Sequence, residues 1–131
     1  MSTQPIKVFL VDDSPIVLRV LERIIGESAD LELVGTAYNG EDALAKIPTA
    51  QPQVICTDLW MESVDGAELI EWTMAHCPCP ILVISEDGND PETAERLKEL
   101  GAIEVMGKPQ AAAKADESLD GCRPGVPRQV V

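Results

Sequence analysis

The feature that most constrains this chain is a set of short apolar runs rich in strand-forming residues, each separated from the next by a segment of helical period. They are Ile6–Val11, Leu31–Ala37, Val54–Thr57, Pro80–Ile84 and Ile103–Met106. Each is too short for a helix, and its residue types favour extended backbone. Strands that read as continuous apolar runs and alternate with helices are usually parallel and covered on both faces. Each strand-to-strand crossover should be right-handed. The expected architecture is therefore an α/β fold, an open doubly wound sheet of five parallel strands with helices on both faces.

The intervening segments carry start and stop signals. Ser14 is suited to cap a helix whose first residue is Pro15, and Gly26 suits its end. Within it Val17, Leu21, Ile24 and Ile25 recur at helical spacing, while Arg19, Glu22 and Arg23 fill the other face. Asn39-Gly40 reads as a turn. A short helix is then expected over Glu41–Ile47, with Ala43, Leu44 and Ile47 inward, closed before Pro48. Further helices are expected over Ala67–His76 and over Pro91–Leu100, the latter stopped by Gly101. A fifth, over 111–119, is weak because Leu119 is its only bulky apolar residue. From Asp120 onward the glycines and prolines suggest a disordered tail or linker. At 131 residues the chain suits one domain, expected over 1–110, with 111–131 as the weak helix and tail.

Composition narrows the partners. The net charge is −13, a field that repels phosphate backbones, so direct nucleic-acid binding is not expected. The same field repels an anionic phosphodonor unless a cation or a basic partner intervenes. No apolar run approaches the ~20 residues needed to span a bilayer, and no basic-then-apolar leader opens the chain. A cytoplasmic location with reduced thiols is the expectation. Of the four cysteines, Cys56 reads as a small buried residue. Cys77 and Cys79 flank Pro78 beside His76. Their spacing is not that of a zinc site, and a capped loop is the simpler reading.

The polar residues fall at the strand ends. In open parallel sheets ligands bind outside the carboxyl ends of the strands, where strand order reverses. The first strand ends at Asp12 and Asp13, the third at Asp58, the fourth at Ser85, and the fifth runs toward Lys108. Each residue alone has a plain reading: a helix cap, a loop acid, a surface lysine. Their joint placement at successive strand ends points to a site. Three converging carboxylates repel one another, and an oxygen-rich site of this kind suits Mg²⁺. A carboxylate can accept a phosphoryl group covalently. Lys108 could hold a phosphoryl oxygen as a point charge, and Ser85 could donate to another. The chemistry that fits is in-line transfer to Asp58.

At these residues the chain resembles the receiver domain of two-component response regulators. The matching segments are VFLVDDSPIVLRVL, DLELVGTAYNGEDAL, VICTDLWMESVDGAELI, ILVIS and LGAIEVMGKP, spanning Ile6 to Pro109. Asp13 and Asp58 are separated by 44 residues, Asp58 and Ser85 by 26, and Ser85 and Lys108 by 22. Within the family the second strand and its turn are most similar to the receivers of chemotaxis methylesterases. The resemblance implies a flavodoxin-like strand order 2-1-3-4-5 and Asp58 as phosphoacceptor. It implies that Asp13, Asp58 and the backbone carbonyl of Trp60 bind Mg²⁺, with Asp12 acting through a metal-bound water. It also implies that Lys108 pairs with the phosphoryl group and that Ser85 senses it. The implied donor is a phosphohistidine on a sensor histidine kinase or phosphotransfer protein. The implied output is a changed surface for a downstream effector protein or domain, with homodimerisation an open alternative. Such a module is not itself an enzyme beyond self-phosphotransfer and autodephosphorylation.

The chain departs from the family pattern at three places. Met61-Glu62 stands where Met-Pro is common, Glu86-Asp87 follows Ser85 where a small residue is usual, and Val105 replaces the aromatic three positions before the lysine. The relay is then expected to run through the loop after Ser85 and the face built from the fourth helix, fifth strand and fifth helix. These departures motivate one alternative, a receiver-like binding or dimerisation module that is never phosphorylated. Another, an aspartyl-phosphate hydrolase, typically needs a second acid two residues after the nucleophile. Trp60 holds that position here.

Overall fold

A computed structural model describes residues 4–59, 61, 64–86 and 88–108. Its elements alternate: β1 (Ile6–Val11), α1 (Pro15–Gly26), β2 (Leu31–Ala37), α2 (Gly40–Ala50), β3 (Val54–Thr57), α3 (Gly66–His76), β4 (Ile81–Ile84), α4 (Pro91–Leu100) and β5 (Glu104–Met106). The five strands form one parallel sheet in the order β2-β1-β3-β4-β5. The doubly wound parallel sheet expected from the strand pattern is thus present, in the flavodoxin-like order that the family resemblance implies. The fifth helix over 111–119, the tail and Trp60 lie outside the described residues.

The sheet divides the core by the two-residue alternation of its strands. Phe9 and Val11 face one side with Ala43 and Ile47 of α2, Leu69 and Ile70 of α3, and Leu97 of α4. Val8 and Leu10 face the other with Val17, Leu18, Leu21 and Ile25 of α1. Cys56 also faces α1; it is half-buried rather than fully buried as expected, and desolvation pushes its thiol pKa up to about 11. Phe9, completely buried, requires an accommodation in β2. The register slips between Val8 and Phe9, so Val8 pairs with Leu33 but Phe9 with Gly35. A Cβ at Gly35 would lie 2.6 Å from Phe9 Cε2, so the ring occupies the space a side chain would need.

Local signals set most boundaries. The Ser14 hydroxyl accepts from Val17 N at 3.3 Å to cap α1, and Asn39 Oδ1 accepts from Asp42 N at 2.7 Å to cap α2. Asp65 and Glu68 form a reciprocal capping box at α3. Gly101, at φ 132°, takes a backbone conformation that side chains disfavour and closes α4.

Two expectations are corrected. The second helix does not close before Pro48 but continues through it to Ala50, with Gln51 in the left-handed region as its cap. Pro48 lies in the last turn, so the lost N–H removes one bond near a fraying end, and Ile47, almost fully buried, anchors the segment. In α1, Ile24 is 46% exposed and Leu18 takes the inward place. The stripes with Leu18 and with Ile24 span equal arcs of the helix, so the direction from which the sheet meets α1 decides between them.

Candidate functional site

The carboxyl ends of β1 and β3, neighbours at the centre of the sheet, carry the acids. Asp12 N donates to Ala37 O at 3.1 Å and Asp58 N donates to Val11 O at 2.9 Å. The ladder therefore continues through both residues and fixes their backbones. Asp12 Oδ1 accepts from Ser14 N at 2.9 Å. Asp12 thus closes a local turn, whereas the helix cap that the simpler reading assigned to it is supplied by Ser14. Carboxylate oxygens of Asp12, Asp13 and Asp58 all lie within 4.8 Å of one another. Asp12 and Asp58 are buried and Asp13 is exposed, so the cluster opens to solvent on one side.

Lys108 reaches this cluster from beyond β5. Its Nζ lies 3.5 Å from Asp12 Oδ2 and 3.7 Å from Asp58 Oδ2. Ser85, 1% exposed at the end of β4, hydrogen-bonds through its side chain to Asp58. Asp58 Oδ1 accepts from Leu59 N at 2.7 Å, which leaves Oδ2 turned toward the lysine. Of the residues singled out from sequence, Asp12, Asp13, Asp58, Ser85 and Lys108 are brought together; Trp60, Glu62 and Asp87 fall outside the described residues. Glu86 is exposed. Val105 is buried in the core behind the site.

One lysine does not balance three acids. Burial, then the charge of Asp58, pushes the Asp12 carboxyl up to about 6, although Lys108 and the Ser14 N–H oppose the shift. Burial likewise raises Asp58, against Lys108, the Leu59 N–H and Ser85. Carboxylates held in place yet reluctant to ionise fit a site for a hard divalent cation: oxygen donors only, two of them sequestered and one open to water.

Three glycines support the site through close backbone approaches. Gly66 N donates to Leu59 O at 2.8 Å, and a Cβ there would lie 2.8 Å from Leu59 Cα. Gly66 is thereby held against the residue that follows Asp58. At Gly40 a Cβ would lie 2.7 Å from Val64 Cβ, so Val64 packs against the start of α2. Gly88 packs its Cα against the Met106 carbonyl. Only Gly66, inside the D-x-x-E capping pattern, offered a sequence signal.

The family model described as response regulator receiver domain matches residues 8–120. The chain belongs to that family. Among curated relatives, a protein-glutamate methylesterase/protein-glutamine glutaminase of Halalkalibacterium halodurans is 38% identical over 112 residues, covering 85% of this chain and 32% of the relative. Its counterpart in Methanosarcina barkeri is 34% identical over 114 residues, covering 84% of this chain and 30% of the relative. The chain thus spans about a third of the length of these relatives. The crystal structure of the response regulator domain of Thermotoga maritima CheB superposes with a TM-score of 0.77 at 26% identity, covering 94% of this chain and 99% of that one. The receiver domain described here is therefore a signalling module, and the resemblance to chemotaxis methylesterase receivers holds. Among the described residues no helix is long and apolar enough to cross a membrane.

Proposed function

We propose that this receiver accepts a phosphoryl group on Asp58 in a Mg²⁺-dependent reaction and thereby switches a protein–protein surface. The observation that carries the reading is the position of Asp58 Oδ2, 3.7 Å from Lys108 Nζ beside two further carboxylates. Asp12, Asp13 and Asp58 would hold the cation, with the Trp60 carbonyl as a further ligand. The cation supplies neutralisation of charge on the transferring group. Oδ2 attacks phosphorus in line, the new O–P bond forms as the donor's P–N bond breaks, and the electron pair leaves with the imidazole, which takes up a proton. Lys108 faces the phosphoryl oxygens as a point charge. Ser85 exchanges its bond to Asp58 for one to the phosphoryl group.

The donor is a phosphohistidine on a sensor histidine kinase or phosphotransfer protein, whose docking offsets part of the −13 field. The relatives make a protein-glutamate methylesterase the effector chemistry to test first. Incubation with acetyl phosphate and Mg²⁺, read by intact mass, should add one phosphoryl group to wild type and none to Asp58→Ala. A wild-type chain that gains nothing, even from a purified cognate kinase, would overturn the reading; a gain that survives Asp58→Ala would overturn the site.

A further inference from the structure

We propose that Gly88 is a positioning residue that latches the loop after β4 to the end of β5, and so holds Ser85 and Lys108 in one register for phosphoryl acceptance. The proposal rests on the phosphoacceptor reading of Asp58 and names how two of its partners are kept in place. The constraint is spatial. Gly88 is buried, and a Cβ on it would overlap the Met106 carbonyl and come within 2.6 Å of Gly107 N. Those are backbone atoms and cannot swing aside as a side-chain tip could.

The same carbonyl does a second job. Met106 O accepts from Ser85 N at 3.0 Å, and Gly88 N donates back to Ser85 O at 3.0 Å. One carbonyl, two residues before Lys108, is therefore bonded to the backbone of Ser85 and covered by Gly88. Any side chain at 88 must push the 85–88 turn away from β5. Ser85 then withdraws from Asp58 while the acids on β1 and β3 stay where they are. The latch extends one residue further, because a Cβ on Gly107 would lie 2.9 Å from Asn89 Nδ2. Here the neighbour is the end of an exposed side chain, so this second contact is weaker.

The test separates positioning from general damage. Gly88→Ala should slow phosphorylation by acetyl phosphate at saturating Mg²⁺ by roughly tenfold or more, the size expected when a reacting arrangement shifts by part of an ångström. Its Mg²⁺ dissociation constant, followed by titration without donor, should stay within about twofold of wild type, since the three acids are on other strands. Ser85→Ala should slow the same step, and Gly88→Ala placed in that background should add less than its full cost, because the displaced hydroxyl is already gone and only the shift of Lys108 remains. Additive losses, a parallel loss of Mg²⁺ affinity, or a wild-type rate in Gly88→Ala would each overturn the latch. Should Gly88→Ala not fold, Asn89→Ala decides, since it inserts nothing. A fall of about two- to fivefold that shrinks in the Ser85→Ala background supports the latch, and a wild-type rate overturns it. If wild type itself takes up no phosphoryl group while binding Mg²⁺, it is the proposed function that fails.

Discussion

α1 and α4 are of similar length and flank the same sheet, yet they are held very differently. α1 buries Val17, Leu18, Leu21 and Ile25 against β1 and carries a serine cap and a proline start. α4 has the same kind of start, Asp90 capping Pro91, but among its residues only Leu97 is fully buried, with Ala94 and Leu100 partly so. Its remaining surface is mostly charged, with Glu92, Glu95, Arg96, Lys98 and Glu99. The difference follows the site. The β1 side bears acids whose backbones the sheet ladder fixes, while the β4–β5 side bears the serine and lysine that, under the proposed function, respond to a phosphoryl group. A helix pinned by one leucine can shift at a small cost in buried apolar surface; one pinned by four cannot.

The sharpest way to break this comparison is to remove one anchor from each. Leu97→Ala and Leu18→Ala should each cost about 3 kcal/mol as buried leucines. Their distribution should differ. Hydrogen exchange in Leu97→Ala should rise selectively over 91–100, whereas Leu18→Ala should leave α1 protected relative to the rest, because three anchors remain. Equal local opening in both would remove the distinction.

Next in size is the strain on the β1 side. Asp12→Asn keeps an acceptor for Ser14 N and removes one charge from the cluster, so the cation-free protein should become more stable, on the order of 1–2 kcal/mol at pH 7. Added Mg²⁺ should then stabilise the variant less than wild type. Denaturant titration with and without the metal measures both.

The same strain gives a pH dependence whose sign is fixed. Asp12 sits at about 6 when folded against its ordinary value of 3.8. The folded state then binds more protons than the unfolded one between these values. Its stability is fully expressed below about pH 4 and declines as pH rises through about 6. Asp58 is shifted in the same direction. Denaturation midpoints at several pH values should trace this decline without Mg²⁺ and a flatter course with it. A rise in stability over the same window would contradict the geometry of the cluster.

The smallest effect belongs to Ile24. At 46% exposure, Ile24→Ala should change stability by less than ~0.5 kcal/mol, in contrast to its neighbours on the inward stripe. A cost comparable with that of Leu18→Ala would return Ile24 to the core.

Much of this was legible in the sequence because the relevant physics is local. Strand runs of Val, Ile and Leu, the helix start at Ser14 and stop at Gly101, and the polar residue ending each run all depend on near neighbours in the chain. Asp12, Asp13, Asp58, Ser85 and Lys108 could be gathered before any coordinates because parallel strands deliver their ends to one edge. What escaped depended on contacts between distant segments. Pro48 looked like a terminus because local rules penalise it, yet Ile47 beneath it holds the turn. Leu18 and Ile24 differ only by the angle at which the sheet meets α1. Gly40 reads as an ordinary turn residue and Gly88 carries no signal of its own, since nothing nearby in sequence announces the contacts packed against them.

The pairing of Phe9 with Gly35 has an evolutionary consequence. The ring of one fills the volume that a side chain on the other would need, so neither position can be altered freely while its partner stays. A lineage that acquires even an alanine at 35 must first, or simultaneously, trade the aromatic at 9 for something smaller, and the slip in strand register should be lost with it. Related chains are therefore expected to sort into two groups, those with a bulky residue at 9 facing glycine and those with a smaller residue facing a side chain, with few intermediates. Covariation between these two columns in an alignment would reveal the slip without a structure.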